Sequence, residues 1–242
     1  MEANVLKYKF KESRETFSQK MGPFKSSIYT IQQNVITPLW KRTFDIIVAT
    51  TLIILLLPVF LMIIILQQME SPGSVFYAGK RVGAGYKIFH FYKFRTMQVG
   101  ADKRIHDLAK DYNQYENDGR RHLFVKIKND PRVTNFGRVL RRSGFDELPQ
   151  LFNVLKGDMS IVGNRPIPVY EAEMLLEEKF YERFYAPGGI TGLWQVSKRG
   201  KENVSESERI DLDNQYVKNM NLLTDIKILF KTPFAMISEV SA

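Results

Sequence analysis

Cysteine is absent from this sequence, which excludes disulfide frameworks, Cys-ligated zinc, iron–sulfur clusters and thiol nucleophiles together. Any nucleophile is therefore an oxygen or a nitrogen. Histidine is scarce: His90, His106 and His122 are spaced too widely for a sequence-local metal motif and read as surface or packing residues. Gly83 and Gly85 lack the third glycine and the following helix of a dinucleotide fingerprint, so a Rossmann-type nucleotide turn is disfavoured. There is no internal repeat and no low-complexity tract. Acidic residues are in deficit, 26 Asp and Glu against 35 Lys and Arg, for a formal net charge of +9. That excess favours a polyanionic partner: nucleic acid, an anionic membrane face or phosphorylated substrates. What is present is 242 residues that are 44% hydrophobic and 12% aromatic, enough for a buried core and too apolar for disorder. The length fits one compact domain plus a remainder.

The remainder includes a membrane segment. From Ile46 to Leu66 no residue is charged, and only Thr50 and Thr51 carry polar side chains. A straight helix of that length reaches about 30 Å, one bilayer core. It begins too deep in the chain and runs too long for a cleavable signal. Lys41 and Arg42 precede it, and Lys80, Arg81, Lys87, Lys93 and Arg95 follow, so both flanks prefer the cytoplasm. Pro58, just past the middle, removes a backbone hydrogen bond and predicts a sharp bend. A bent segment enters and leaves by one face; a Pro-kinked transmembrane helix is the alternative, and these features do not choose between them.

Residues 1–40 read as a polar, basic extension interrupted by Gly22-Pro23 and Thr37-Pro38. Ser71-Pro72-Gly73 ends the membrane segment. Aromatic and β-branched residues between Val75 and Met97, around Gly83-Ala84-Gly85, predict a hairpin carrying Lys93-Phe94-Arg95 on its second arm. Helices are expected over 101–121, 147–156, 169–184, 206–220 and 225–240, the fourth opened by a Ser205/Glu208 capping box. Pro187 to Gly192 reads as a loop beside Trp194. Leu222, Leu223, Ile226, Ile228, Leu229, Phe230 and Phe234 suit either a membrane surface, with Lys227 and Lys231 reaching headgroups, or a packed core.

The densest polar constellation runs from Arg138 to Arg165. Pro149 cannot sit deep in a helix, so a helix covering Leu148 to Lys156 starts close to Asp146 and Glu147. There the macrodipole and Arg138, Arg141 and Arg142 favour negative charge and attract phosphate. Magnesium could join one carboxylate to phosphate oxygens, and an ionised Asp is a competent nucleophile toward phosphorus. Acidic residues at a helix start are also common caps. An arginine held in Gly163-Asn164-Arg165-Pro166 suits phosphate recognition, though that stretch can equally be a plain turn.

Taken in order, these pieces resemble the bacterial sugar transferases, the monotopic phosphoglycosyl transferases that begin glycan assembly on polyprenyl phosphate. The resemblance is carried by Lys41-Arg42-Thr43-Phe44-Asp45, the apolar segment with Pro58, Ser71-Pro72-Gly73, Lys93-Phe94-Arg95-Thr96-Met97 and Leu140-Arg141-Arg142-Ser143. It continues through Asp146-Glu147-Leu148-Pro149-Gln150-Leu151, Asn153 to Gly163, Arg165-Pro166, and Pro187 through Gln195. It covers Lys41 to the C-terminus. It implies an α+β fold, mostly helical with short strands: a basic extension (1–40), a re-entrant membrane helix bent at Pro58 (41–70) and a single catalytic domain with interfacial amphipathic helices (71–242).

The implied reaction moves a sugar 1-phosphate from a UDP-sugar to polyprenyl phosphate with magnesium, at the cytoplasmic face of the bacterial inner membrane. By the match, Asp146 is the nucleophile and metal contact and Glu147 assists. Arg165 holds phosphate, with Arg95 and Arg142 as weaker candidates, while Asp211 and Asp213 stand at family-like positions without an assigned role. No nucleic acid is expected, and a homo-oligomer stays open. The sequence departs from the family at Leu57, where Ser is usual, at Asn164, where Pro is usual, and at Ser197-Lys198-Arg199-Gly200; the stretch 101–121 looks inserted. The rival readings are a membrane-tethered basic binding module, which interleaved acids and the lack of a helix-turn-helix pattern disfavour, and a membrane-spanning scaffold.

Overall fold

The structure, a computed structural model, describes residues 24–101, 130–198 and 205–240. Most of the basic extension, the helix expected over 101–121, His106, His122 and residues 199–200 lie outside the described residues.

Helix α1 (Lys25–Gln33) lies between the two Pro-containing breaks, and α2 (Leu39–Glu70) starts directly after Pro38. Pro58 stands inside α2, with helix assigned on both sides of it. The expected hairpin follows: β1 (Phe76–Val82) pairs antiparallel with β2 (Ile88–Phe94), in register from Phe76 opposite Phe94 to Val82 opposite Ile88. Its turn needs Gly85, whose φ is +63°.

Helix α3 (Asn135–Ser143) is capped by the Thr134 hydroxyl, which accepts from the Gly137 N–H, and is stopped by Gly144 at φ +73°. A single 3-10 turn, Phe145–Glu147, then leads into α4 (Gln150–Lys156). Next come β3 (Ser160–Val162), α5 (Val169–Glu177), a 3-10 turn at Glu182–Tyr185, β4 (Gly189–Thr191), α6 (Leu193–Lys198), α7 (Glu206–Lys218) and α8 (Leu222–Val240). The Ser205 hydroxyl accepts from the Glu208 N–H, as the capping box predicts. Helix α5 ends earlier than expected, because Lys179 adopts φ +61° and turns the chain.

Strands β3 and β4 pair in parallel, an arrangement that requires glycine. A Cβ on Gly163 would stand 2.2 Å from the Pro187 carbonyl oxygen, and one on Gly192 would stand 2.1 Å from that of Gly163. The two Gly-rich motifs are therefore one backbone-to-backbone junction.

Three apolar clusters hold these elements. The first joins Ala49 of α2 to Phe89, Phe91, Leu151, Val154, Tyr216 and Ile228. The second joins Ile31 of α1 to Val82, Tyr86, Ile167 and Phe184, which draws part of the basic extension into the domain. The third joins Phe60 and Ile63 of α2 to Phe94 and Leu140.

Helix α2 thus presents one stripe to the domain along its whole length: Lys41, Asp45, Ala49, Phe60, Ile63 and Gln67 are buried. The opposite face leaves Ile47, Ile54, Leu55, Leu61, Ile65 and Met69 exposed. At one end Arg42 donates to the Val154 and Leu155 carbonyls, 2.5 and 2.7 Å away, and so closes the C-terminus of α4. Asp45 accepts from the Ser160 hydroxyl and the Ile161 N–H. At the other end Gln67 donates to the Val75 carbonyl at 3.0 Å and Glu70 accepts from the Phe136 N–H. The Phe60 ring lies 5.8 Å from that of Phe152, on the same short helix that Arg42 caps.

Lys41 is fully buried and pairs with equally buried Asp225 at 2.6 Å; the Tyr216 hydroxyl donates to the second Asp225 oxygen. Burial pushes the Asp225 carboxyl up despite the lysine beside it. The pair is therefore a pin between α2 and α8 rather than a large net stabiliser. Asp225→Leu alone is expected to cost about 3–5 kcal/mol by stranding Lys41, and the Lys41→Met/Asp225→Leu double variant to recover most of it. Thermal unfolding of both in detergent checks this; equal loss in the two variants would contradict it.

Candidate active site

The hairpin, the Phe145–Glu147 turn and the segment after β3 converge on two carboxylates. Asp146 is 6% exposed and Glu147 is its immediate neighbour in the turn. Gly144 at positive φ reverses the chain directly before them, and Pro149 starts α4 directly after. The carboxylates thus sit one turn ahead of the helix that the sequence places them on.

Lys93, at the end of β2, reaches both acids: its Nζ lies 3.1 Å from Asp146 Oδ2 and 2.8 Å from Glu147 Oε1. Arg165 closes on Glu147 from the other side, with Nη2 at 2.6 Å from Oε1 and Nη1 at 3.3 Å from Oε2. This two-pronged geometry is the strong form of an Arg–carboxylate contact. Burial acts to raise the Glu147 pKa, but Arg165 and then Lys93 outweigh it and hold the carboxyl well below the usual range. Glu147 is thus a fixed anion with both oxygens engaged. Asp146 uses one oxygen on Lys93, and among the described residues its Oδ1 makes no hydrogen bond.

These groups open into a cavity of about 1210 Å³. Its wall carries Arg81, Lys93, Arg141, Asp146, Glu147 and Arg165 together with aliphatic side chains of α2, α4 and α8: Leu52, Leu56, Leu151 and Leu229. A charged wall suited to phosphates and an apolar wall continuous with the long apolar helix α2 therefore share one space.

Of the residues singled out in the sequence, Asp146, Glu147 and Arg165 come together. Arg95 faces the same cavity, but its guanidinium is committed to the Ser71 hydroxyl and carbonyl, where it closes the end of α2. Arg142 is not among the residues that line the cavity; its neighbour Arg141 lies on the cavity wall and donates from Nε to the Thr96 hydroxyl at 2.8 Å. Consecutive helical residues are about 100° apart, so only one of the two can face the site. Lys93, the bridge between the acids, is not among the site residues that the sequence suggests. Its signal was its place at the end of an apolar strand, where a half-buried lysine is usually paired with a carboxylate.

Comparison with known proteins places the chain in a family. Residues 36–239 match the family profile described as Bacterial sugar transferase. The chain is 44% identical over 196 residues to the undecaprenyl-phosphate galactose phosphotransferase of Salmonella typhimurium, covering 79% of this chain and 39% of that protein. It is 40% identical over 192 residues to the exopolysaccharide production protein ExoY of Rhizobium meliloti, covering 79% of this chain and 83% of that one. A UDP-glucose:undecaprenyl-phosphate glucose-1-phosphate transferase of Xanthomonas campestris is 38% identical over 72% of this chain and 34% of its own length. The chain spans about two fifths of the Salmonella relative. With the profile running from just before α2 into the last turns of α8, this chain belongs to the bacterial sugar transferase family.

Proposed function

We propose that the protein transfers a sugar 1-phosphate from a UDP-sugar to polyprenyl phosphate, at the cytoplasmic face of the bacterial inner membrane. The observation that carries this reading is the single cavity that joins a Lys/Arg-lined carboxylate pair to an apolar wall built partly from α2. One substrate is a soluble diphosphate and the other a lipid-borne phosphate, and the cavity offers a surface to each. The names of the relatives point to the same pair of substrates.

In the reaction, Asp146 Oδ1 attacks the phosphorus that carries the sugar. A P–O bond forms, the bond to the UMP oxygen breaks, and UMP leaves with that electron pair. An oxygen of polyprenyl phosphate then attacks the same phosphorus, the Asp146–phosphorus bond breaks, and the carboxylate is restored. Asp146 suits this role better than Glu147: it keeps an uncommitted oxygen, whereas both Glu147 oxygens are held by cations. Lys93, Arg165 and Arg81 balance phosphate charge on the cavity wall.

The donor set fits magnesium, which binds through one or two carboxylates plus substrate phosphates rather than an all-protein cage. Among the described residues no group of three or more acidic or histidine ligands gathers, and Asp146 is the carboxylate that would hold the ion together with the substrate phosphates. Bound there, magnesium would neutralise developing charge on the diphosphate.

The membrane helix fits a re-entrant arrangement bent at Pro58. A crossing helix would put its ends on opposite sides of a core about 30 Å thick. Here Arg42 and Asp45 at one end, and Gln67 and Glu70 at the other, all contact the same domain. Exposed apolar residues of α8, Leu223, Phe230 and Phe234, suit the same membrane face. Cysteines placed before Lys41 and after Glu70 are expected to label from one side; opposite-side labelling would favour the spanning scaffold.

The direct test is UMP release from a panel of UDP-sugars, with polyprenyl phosphate and magnesium in detergent or nanodiscs. Release with one or more donors is expected. A folded preparation that binds polyanions in a salt-dependent way but releases no UMP with any donor would favour the binding-module reading.

A further inference from the structure

Asp211 and Asp213 lie two positions apart on α7, about 200° around the helix, and their surroundings differ accordingly. Asp211 is exposed, whereas Asp213 is 4% exposed and faces Arg183, itself 5% exposed. Arg183 Nη2 lies 3.1 Å from Asp213 Oδ2, and the same nitrogen donates to the Arg165 carbonyl at 2.8 Å. One position earlier, the Asn164 side-chain amide donates to the Arg183 carbonyl at 3.0 Å and to the Asp213 carbonyl at 3.1 Å. Asn164 also accepts from Gly189 through its own carbonyl. The backbone at 164–165 is thereby fastened to α7, to the Glu182–Tyr185 turn and to β4.

We propose that Asp213 is a positioning residue that, through Arg183, sets the main chain of Arg165 and with it the two-pronged grip of Arg165 on Glu147. A buried ion pair is a poor source of net stability, because desolvation offsets most of the attraction. Its value here is geometric. Arg183 cannot swing away without breaking a buried pair, so the Arg165 carbonyl has one position. Arg209 also feels the Asp213 charge, but its guanidinium lies over the Trp194 ring at 5.0 Å and, among the described residues, makes no hydrogen bond to the 164–165 backbone. The departure at Asn164, where the family usually has Pro, fits this scheme: the amide supplies two hydrogen bonds that an imide ring cannot.

The inference rests on the reading of the site as a sugar-phosphate transferase, and its test is a double-mutant cycle in the full-length protein, read as UMP release in single turnover with thermal unfolding alongside. Asp213→Asn in the wild-type background is expected to lower turnover by about 10- to 100-fold through misplacement of Arg165. In an Arg165→Ala background the same substitution is expected to change turnover by less than about threefold, since the group it positions is gone. Equal fold-losses in both backgrounds, tracking a lower unfolding temperature, would assign Asp213 a purely structural role and overturn the proposal. Should Asp213→Asn fail to fold, Arg183→Lys takes its place in the cycle, keeping the charge while giving up the fork, with the same two outcomes. A wild-type protein that releases no UMP would count against the transferase reading itself, not against the clamp.

Discussion

Asp146→Asn is expected to lower UMP release by about four orders of magnitude or more, the scale seen when a covalent nucleophile is removed. The amide is nearly isosteric, so the fold and the Lys93 contact at 3.1 Å have little reason to change. What is lost is the anionic oxygen that attacks phosphorus. Two measurements separate this from loss of metal or charge balance. With donor labelled in the sugar and no lipid acceptor, the wild-type protein is expected to retain label on the residue-146 side chain, and the variant none. Donor affinity, measured by displacement of a fluorescent uridine diphosphate analogue, is expected to move by less than about tenfold, since binding through Arg165 and Lys93 persists. A variant that turns over at a wild-type rate, or a working wild-type protein that never carries label, would remove Asp146 as the nucleophile.

The placement of the two acids at the head of α4 was legible in the sequence for a physical reason. Pro149 restricts where the helix can begin, which puts the two acids just ahead of it; that they serve a phosphate site rather than a cap came from the family resemblance. The hairpin was equally legible, because aromatic and β-branched residues flank a Gly-Ala-Gly turn. The α7 cap came from Ser205 and Glu208 alone. Long-range pairing was not legible. Nothing local links Lys93 to residues 53 and 54 positions later, and nothing in the Gly-rich motifs announces that Gly163 and Gly192 touch across a parallel pair. Which of Arg141 and Arg142 lines the cavity was not legible: without the boundaries of α3, set by Thr134 and Gly144, the inward face of a nine-residue helix cannot be fixed. Helix α1 escaped notice because its fit depends on Ile31 meeting Tyr86 and Phe184, which lie 55 and 153 positions away.

The same distinction applies to the membrane helix. Its length and hydropathy suffice to cross a membrane, but they do not say that both ends grip one domain. That information lies in single hydrogen bonds that Arg42 and Gln67 donate and that Asp45 and Glu70 accept. It also explains why Arg95, a reasonable phosphate ligand by composition, is occupied elsewhere. It fastens the turn at Ser71, holding the exit of the helix beside the cavity that Leu52 and Leu56 help to line.

Arg165→Ala is expected to lower turnover by about 10²- to 10³-fold, in the range of a lost preorganised cation at a site of developing charge, and also to change the pH dependence. In the native protein burial raises the Glu147 pKa, and Arg165 and Lys93 more than reverse it, so the folded value lies below the unfolded one. A depressed carboxyl contributes stability that is fully present above the unfolded pKa, near 4.3, and is lost as pH falls toward the folded value. Without Arg165 the burial remains and only Lys93 opposes it, so the folded pKa moves upward. The acid limb of the turnover profile is then expected to shift to higher pH by about one unit or more, and acid unfolding followed by near-ultraviolet circular dichroism to begin at higher pH. Arg165→Lys keeps the charge but not the fork, and should recover the pH profile more than the rate. A variant that loses turnover while both acid limbs stay in place would mean that Arg165 serves the substrate alone and that Glu147 is held by Lys93 without it.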